Sequence, residues 1–276
     1  MSEFMSWGSE KSPPSLVPGE VHVIAASLDE LPSAARRAWL SADEVARAER
    51  FHFPRDRHRF AAGRGLLRGL LGRYLGLDPA ELRFVYGPRG KPGLGPEARD
   101  LRFNVSHSGG LALLAFVRGR HLGVDLERER PLPEAEEMAG RFFSPRESAE
   151  LRRLPGADRP RAFFRCWTRK EAFIKATGEG LSRPLDAFDV TLAPGEPARL
   201  LRVEGEPGDP GRWWLRDLEL AAGFAGALAV EGPPLRVACW NWDSAVEEIY
   251  GQGREGRQGD LQGGREPRRA VLDLAG

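Results

Sequence analysis

The stretch GVDLE (123–127) alternates, so Val124 and Leu126 face one side of a strand and Asp125 and Glu127 the other. Two carboxylates at i and i+2 lie close enough to share a cation, although a polar outer strand face is the commoner explanation of such a pair alone. A third carboxylate changes the weight of the pattern. In FRCWTRKEAFIKATGEG (164–180), read as one helix, about 100° per residue sets Glu171 between Trp167 and Phe164, and Lys170 between Phe163 and Cys166. Charges within an aromatic surface cost stability unless something compensates them. Asp125, Glu127 and Glu171, completed by waters and phosphate oxygens, suit Mg²⁺, with Mn²⁺ as a substitute. Mg²⁺ takes octahedral oxygen coordination and is commonly shared with a substrate phosphate. No His/Cys set has the spacing of a zinc site.

Lys170 and Lys175 bracket Glu171. Beside a magnesium–carboxylate centre, ammonium groups make sense when the ligand carries more negative charge than the metal cancels, as a diphosphate does. An internal Glu171–Lys175 pair at i,i+4 would explain those two without a ligand, but it leaves Lys170 unexplained. Only four of the 41 basic residues are lysine (Lys11, Lys91, Lys170 and Lys175), which points to a need for compact point charges rather than planar guanidinium forks. FNVSHSGG (103–110) sets Ser106 and His107 at a strand end before permissive glycines, where side chains and exposed amides can hold a phosphate. A Ser-His pair in a hairpin turn is also often purely structural. Ser108 lacks the preceding glycine of a hydrolase nucleophile elbow. GPRGKP (87–92) fails the phosphate-loop pattern, with Val85 in place of the first glycine and Pro92 in place of Ser/Thr.

The elements that must position these groups follow from pattern. Strands are expected at 21–27, 82–86, 101–107, 111–118 and 121–127, with SHSGG as a hairpin connection. Helices are expected at 41–50 and 56–75, the second with a basic row at Arg57, Arg64 and Arg68 read as a solvated face. Residues 87–98 read as a turn-rich loop. Ser144, Pro145 and Glu147 have the N-cap, N1 and N3 spacing of a capping box. The lysine-bearing helix follows, then strands near 187–192, 199–205, 213–219, 224–230 and 235–242. The order strand–helices–strands thus occurs once before about residue 120 and again after it, an α+β fold in two lobes at 19–120 and 121–243. Residues 1–18, polar and Pro/Ser-rich, read as a disordered lead, and 244–276, rich in Gly, Arg and Gln, as a mobile tail.

Composition narrows the classes. A chain of 276 residues with 41% hydrophobic and 29% charged residues has ample core, and a net charge of +1 gives no bulk electrostatic case for nucleic acid or an anionic membrane. Cys166 and Cys239, in apolar sequence, read as buried reduced thiols. There is no signal-peptide pattern, and no apolar run approaches about 18 residues, so a cytoplasmic protein is expected.

In order, YGPRGKP, FNVSHS, GVDLE, RFFSPRE and WTRKEAFIKATGEGLS resemble the 4′-phosphopantetheinyl transferase superfamily. The likeness is to the long, two-lobed, surfactin-synthetase-activating-like type, which activates carrier proteins of polyketide and non-ribosomal peptide synthesis. It spans roughly residues 20–242, and its specific core is G-V-D-x-E with W-x-x-K-E-A-x-x-K, Asp125 and Glu171 standing 46 residues apart. The resemblance implies a pseudo-twofold pair of α+β lobes in one chain, coenzyme A in the cleft between them, and a monomer. It implies transfer of the phosphopantetheine arm of coenzyme A to a serine of an apo acyl or peptidyl carrier protein, with release of adenosine 3′,5′-bisphosphate. By the same resemblance Asp125, Glu127 and Glu171 are the magnesium ligands, and Glu171 is also the base for the attacking serine. Lys175 binds the diphosphate and protonates the leaving phosphate, and Lys170 is the motif's other basic residue at the ligand. Ser106 and His107 contact coenzyme A phosphates, and Arg59 and Lys91 surround the adenosine and its 3′-phosphate. Arg47 and Arg50 stand where family members often carry lysines, and residues after about 243 have no counterpart in the pattern.

Two other readings use the same residues. A magnesium-dependent diphosphate hydrolase would need the carboxylates but not basic groups arranged for a nucleotide 3′-phosphate. A non-enzymatic binder of nucleic acid or another anionic partner would use the Arg57/Arg64/Arg68 row and the Arg-rich tail. Near-zero net charge and the lack of a stacking-aromatic motif weigh against it.

Overall fold

A computed structural model of the chain describes residues 7–8, 15–31, 38–98, 100–205 and 209–242. Most of the expected lead and all of the expected tail at 244–276 lie outside the described residues. The first half contains β1 (Trp7–Gly8), β2 (Glu20–Ser27), α1 (Ala42–Glu49), α2 (Pro54–Leu75), β3 (Phe84–Tyr86), β4 (Pro92–Leu94), β5 (Leu101–Ser108) and β6 (Leu111–Arg118). The second contains β7 (Leu122–Arg128), α3 (Ala135–Phe142), α4 (Pro145–Arg153), α5 (Arg159–Thr177), β8 (Phe188–Val190), β9 (Leu200–Val203), β10 (Trp213–Asp217), β11 (Phe224–Glu231) and β12 (Arg236–Trp242).

The fold is α+β, built on two sheets of order β1-β12-β2-β6-β5 and β10-β11-β7. Period-two alternation gives each sheet two apolar faces. In the first sheet Ile24, Ala26, Leu114 and Phe116 meet Leu66, Leu67, Leu70 and Leu71 of α2. The opposite face, with Val21, Val23, Leu113 and Ala115, meets Val124, Leu126, Leu228 and Val230 of the second sheet. The far face of that second sheet, with Ala227, Ala229 and Leu215, packs on Ala172, Phe173 and Ala176 of α5. The layers therefore run helix, sheet, sheet, helix, with one long helix for each half of the chain.

Local signals account for most boundaries. Pro54 starts α2 where a missing N–H costs nothing, and Gly76 (φ 70°) ends it in the left-handed region. The capping box of α4 is formed, with Ser144 Oγ accepting from Glu147 N at 3.2 Å and Glu147 Oε2 accepting from Ser144 N at 3.0 Å.

Several expectations are corrected. The lysine-bearing helix begins at Arg159, with Pro160 in its first turn, and ends at Thr177, where Gly178 (φ 76°) caps it. Helix α3 arises in a stretch whose prolines broke the pattern. Strand β12, assigned by chain order to the second lobe, pairs in parallel with β2 in the first sheet, Val237 opposite Val21 and Cys239 opposite Val23. The chain thus returns to the first half at its last described strand. Arg68 is not on a solvated face. It is buried, with Nε on Glu44 Oε2 at 2.7 Å and Nη1 on the carbonyls of Pro79 and Leu82 at 2.8 and 3.0 Å.

Candidate functional site

The site forms where α5 crosses β7, and Gly123 permits the crossing. A Cβ at Gly123 would lie 2.1 Å from the Ala172 carbonyl oxygen and 2.4 Å from Ala176 N, so the two backbones touch only because this residue has none. That close approach brings Glu171 and Lys175, on α5, over Asp125 and Glu127, which share the helix-facing side of β7.

Asp125 is 4% exposed. Its Oδ1 accepts from Lys175 Nζ at 2.6 Å and from Ser106 Oγ at 2.9 Å, while its Oδ2 is buried without a hydrogen-bond partner. Burial holds the Asp125 carboxyl above the usual range, opposed by the charge of Lys175. Glu127 Oε2 accepts from Ser108 Oγ at 2.9 Å, and burial and then the Asp125 charge push its pKa up, against the hydrogen bond from Ser108. Glu171 is half-buried, its carboxylate makes no hydrogen bond among the described residues, and its pKa is likewise raised, first by burial and then by Asp125, with Lys175 opposing. Three carboxylates that burial pushes towards protonation, Glu127 and Glu171 further by the Asp125 charge and Asp125 with an orphaned oxygen, form a site short of positive charge. Hard oxygen donors of this kind fit Mg²⁺. Among the described residues no such cluster stands ready-built around a metal position. Lys175 Nζ lies on Asp125 Oδ1 instead, with Ser106 on the same oxygen and Ser108 on Glu127 Oε2.

Beyond this centre lie His107 and Arg59. His107 is exposed at the end of β5, and partial shielding from water, then the charges of Lys175 and Arg59, lower its pKa. Arg59 reaches the hairpin turn at Gly110, bound through Nε and Nη2 to Asp29 at 2.7 Å each.

Three expected ligand contacts are corrected by the geometry. Lys170 has no exposed side-chain surface. Its ammonium lies 2.7 Å from Glu147 Oε2, donates to the carbonyls of Leu185 and Phe188 at 2.7 and 2.5 Å, and sits 4.2 Å from the Phe188 ring centre. It points away from β7 into the core between α4, α5 and β8, so it reaches no substrate oxygen. Lys91 donates to the carbonyls of Leu122 (3.2 Å), Ala176 (3.4 Å) and Lys175, closing the carboxyl end of α5. Burial, with a smaller push from Arg102, lowers its pKa to about 8. It therefore anchors the helix rather than lying free beside an adenosine. Ser106 has its one proton on Asp125 while accepting from Leu126 N at 3.2 Å and from Lys175 at 3.0 Å. Its hydroxyl orients a carboxylate and has no proton left for a phosphate.

Sequence reasoning missed Glu147 as the partner of Lys170, although the capping-box pattern had marked that residue. It also missed Arg169, buried and paired with Asp217 at 2.8 and 2.6 Å. Asn104 and Ser108 were visible as a polar period-two row with Ser106. Both cysteines are buried, and burial pushes the Cys239 thiol up to about 12. Among the described residues no helix is long and apolar enough to cross a membrane.

Comparison with known proteins identifies the family. Residues 29–118 match a family model described as 4′-phosphopantetheinyl transferase, N-terminal, and residues 121–227 one described as the 4′-phosphopantetheinyl transferase superfamily. The chain is 43% identical over 231 residues to the 4′-phosphopantetheinyl transferase HetI of Nostoc sp. (strain PCC 7120), covering 82% of this chain and 94% of that protein. It is 36% identical over 155 residues to the 4′-phosphopantetheinyl transferase Sfp of Bacillus subtilis (strain 168), covering 56% of this chain and 67% of that protein. The crystal structure of a Thermotoga maritima holo-[acyl-carrier-protein] synthase overlaps 41% of this chain and 64% of that chain, with a TM-score of 0.33 at 23% identity. Asp125, Glu127, Glu171 and Lys175 all fall within residues 121–227, and the chain belongs to the 4′-phosphopantetheinyl transferase superfamily.

Proposed function

We propose that this site transfers the phosphopantetheine arm of coenzyme A to a carrier-protein serine in a Mg²⁺-dependent reaction. The observation that carries the reading is the unfinished charge balance at Asp125, Glu127 and Glu171, with the buried Asp125 Oδ2 left without a partner. Asp125, Glu127 and Glu171 would hold the ion. When bound, the metal would neutralise charge on the diphosphate and polarise the phosphorus under attack. Glu171, half-buried on α5 opposite Asp125 and Glu127, would accept the proton of the attacking serine hydroxyl. That oxygen forms a bond to the phosphorus bearing the pantetheine arm as the bond to the second phosphate breaks. Lys175, with Arg59 beyond it, would supply positive charge towards the departing adenosine 3′,5′-bisphosphate, and His107, held towards its neutral form, would offer a ring N–H. No covalent enzyme intermediate is needed.

On the sequence resemblance to the long, two-lobed type, the proposal extends to polyketide or non-ribosomal peptide carrier domains and to a cytoplasmic monomer. Incubation with coenzyme A, Mg²⁺ and an apo carrier domain, read by intact mass, should show the arm on the carrier and none without the metal. Cleavage of coenzyme A with no arm transferred, across several carrier types, would favour a diphosphate hydrolase.

A further inference from the structure

Strand β7 is the edge of its sheet, so its outward N–H groups need partners from outside that sheet. They find them on β5, the edge of the other sheet. Asn104 Oδ1 accepts from Val124 N at 2.9 Å, Ser106 Oγ from Leu126 N at 3.2 Å, and Ser108 Oγ from Arg128 N at 3.1 Å. Alternate side chains of one strand thus meet alternate amides of the other, since both have a period of two. The two serines do a second thing. Each hydroxyl has a single proton, and each gives it to the carboxylate of the β7 residue just before the amide it accepts from. Ser106 donates to Asp125 at 2.9 Å and Ser108 to Glu127 at 2.9 Å.

We propose that Ser108 is a positioning residue for Glu127, and that the row Asn104, Ser106 and Ser108 ties the metal-binding strand to the other half of the molecule in a fixed register. The proposal rests on the reading of Asp125, Glu127 and Glu171 as the magnesium site. Ser106 serves Asp125 in the same way, but it also receives Lys175, whereas Ser108 touches Glu127 without touching the catalytic lysine. The bond from Ser108 is the one hydrogen bond that the Glu127 carboxylate makes among the described residues. Without it the carboxylate is free to rotate away from the position it shares with Asp125 and Glu171. Partners that orient a metal-binding side chain in this way are worth about 10–100-fold in metal affinity or activity.

The test is titration of the coenzyme A–bound protein with Mg²⁺ by calorimetry, and with Mn²⁺ by electron paramagnetic resonance. Ser108→Ala should bind either ion about tenfold or more weakly, with metal-free coenzyme A affinity unchanged. Ser108→Thr, which keeps the hydroxyl, should restore it. Wild-type metal affinity in Ser108→Ala, even with a lowered melting point, would overturn the proposal, as would failure of Thr to restore. A metal-free readout separates this from the reading beneath it. Hydrogen exchange at the Arg128 amide should quicken in Ser108→Ala and be normal in Ser108→Thr. If the wild type binds no divalent ion with coenzyme A, the magnesium reading falls and the role of Ser108 towards the metal falls with it. The exchange arm then decides the register alone, and an unchanged Arg128 rate would overturn that too.

Discussion

Lys170 and Lys175 stand five residues apart on one helix and in opposite electrostatic states. At Lys170 the compensation is complete. Glu147 supplies the counter-charge, two carbonyls accept the remaining protons, and neither side chain of the pair has exposed surface. Arg169, next to it, is equally complete on Asp217 and the Thr191 carbonyl. At Lys175 one ammonium faces three carboxylates, and Asp125 Oδ2 lies buried with nothing bound to it. A charge in an apolar helix is therefore no sign of a site by itself. What separates structure from function here is whether the balance closes within the protein.

The largest effect that would sharpen this contrast is on catalysis. Glu171→Gln removes the base, so transfer should fall by about 10²–10⁴-fold, measured as initial rate on an apo carrier domain. Its melting point should hold or rise, because burial and Asp125 disfavour the charged carboxylate. A lower melting point would show that Glu171 is a structural charge like Lys170.

Lys170→Met should do the reverse. It strands Glu147 in the core at a cost of about 3–5 kcal/mol in denaturant melts. Adding Glu147→Gln should recover part of that loss by removing the unpaired charge. Unchanged stability in Lys170→Met would break the comparison.

Gly123→Ala should cost about 1–3 kcal/mol through overpacking. It should also lower transfer, since the new Cβ forces α5 away from the carboxylates. Full activity in that variant would show that the close approach is dispensable.

Among these effects the smallest depends on pH. Burial lowers the His22 imidazole from 6.5 to about 4, with Tyr74 and Glu20 at 2.8 and 3.3 Å from its nitrogens. The unfolded chain gains this proton near its ordinary pKa and the folded protein only near 4. Stability from His22 is thus full above 6.5 and is lost as pH falls towards 4. The loss at pH 5 is roughly 2 kcal/mol. It should vanish from the pH dependence of His22→Asn melts if the assignment is right, and persist if other groups carry it.

Much of this was legible in the sequence, for reasons local to each stretch. Alternation placed Asp125 and Glu127 on one face, helical period put Glu171 in an aromatic surface, and Ser144 with Glu147 marked the start of α4. What the sequence hid was pairing across long separations. Lys170 could not be told from Lys175 without knowing that Glu147 and the Phe188 carbonyl would close around it. The same holds for Lys91 at the end of α5 and for Arg68 against Glu44, both basic residues read as ligand or surface groups and found satisfied by carbonyls or a buried acid. The return of β12 to the first sheet is likewise invisible to any local window, because an apolar strand carries no mark of which sheet it joins.

The most direct measurement pairs intact-mass analysis of an apo carrier domain with thermal melts of the transferase, wild type against Asp125→Ala, in coenzyme A and Mg²⁺. The unfinished site predicts one arm added by the wild type and none by a variant that melts at or above the wild-type temperature. Transfer at a near-wild-type rate by folded Asp125→Ala would contradict the assignment of this cluster as the centre of the reaction.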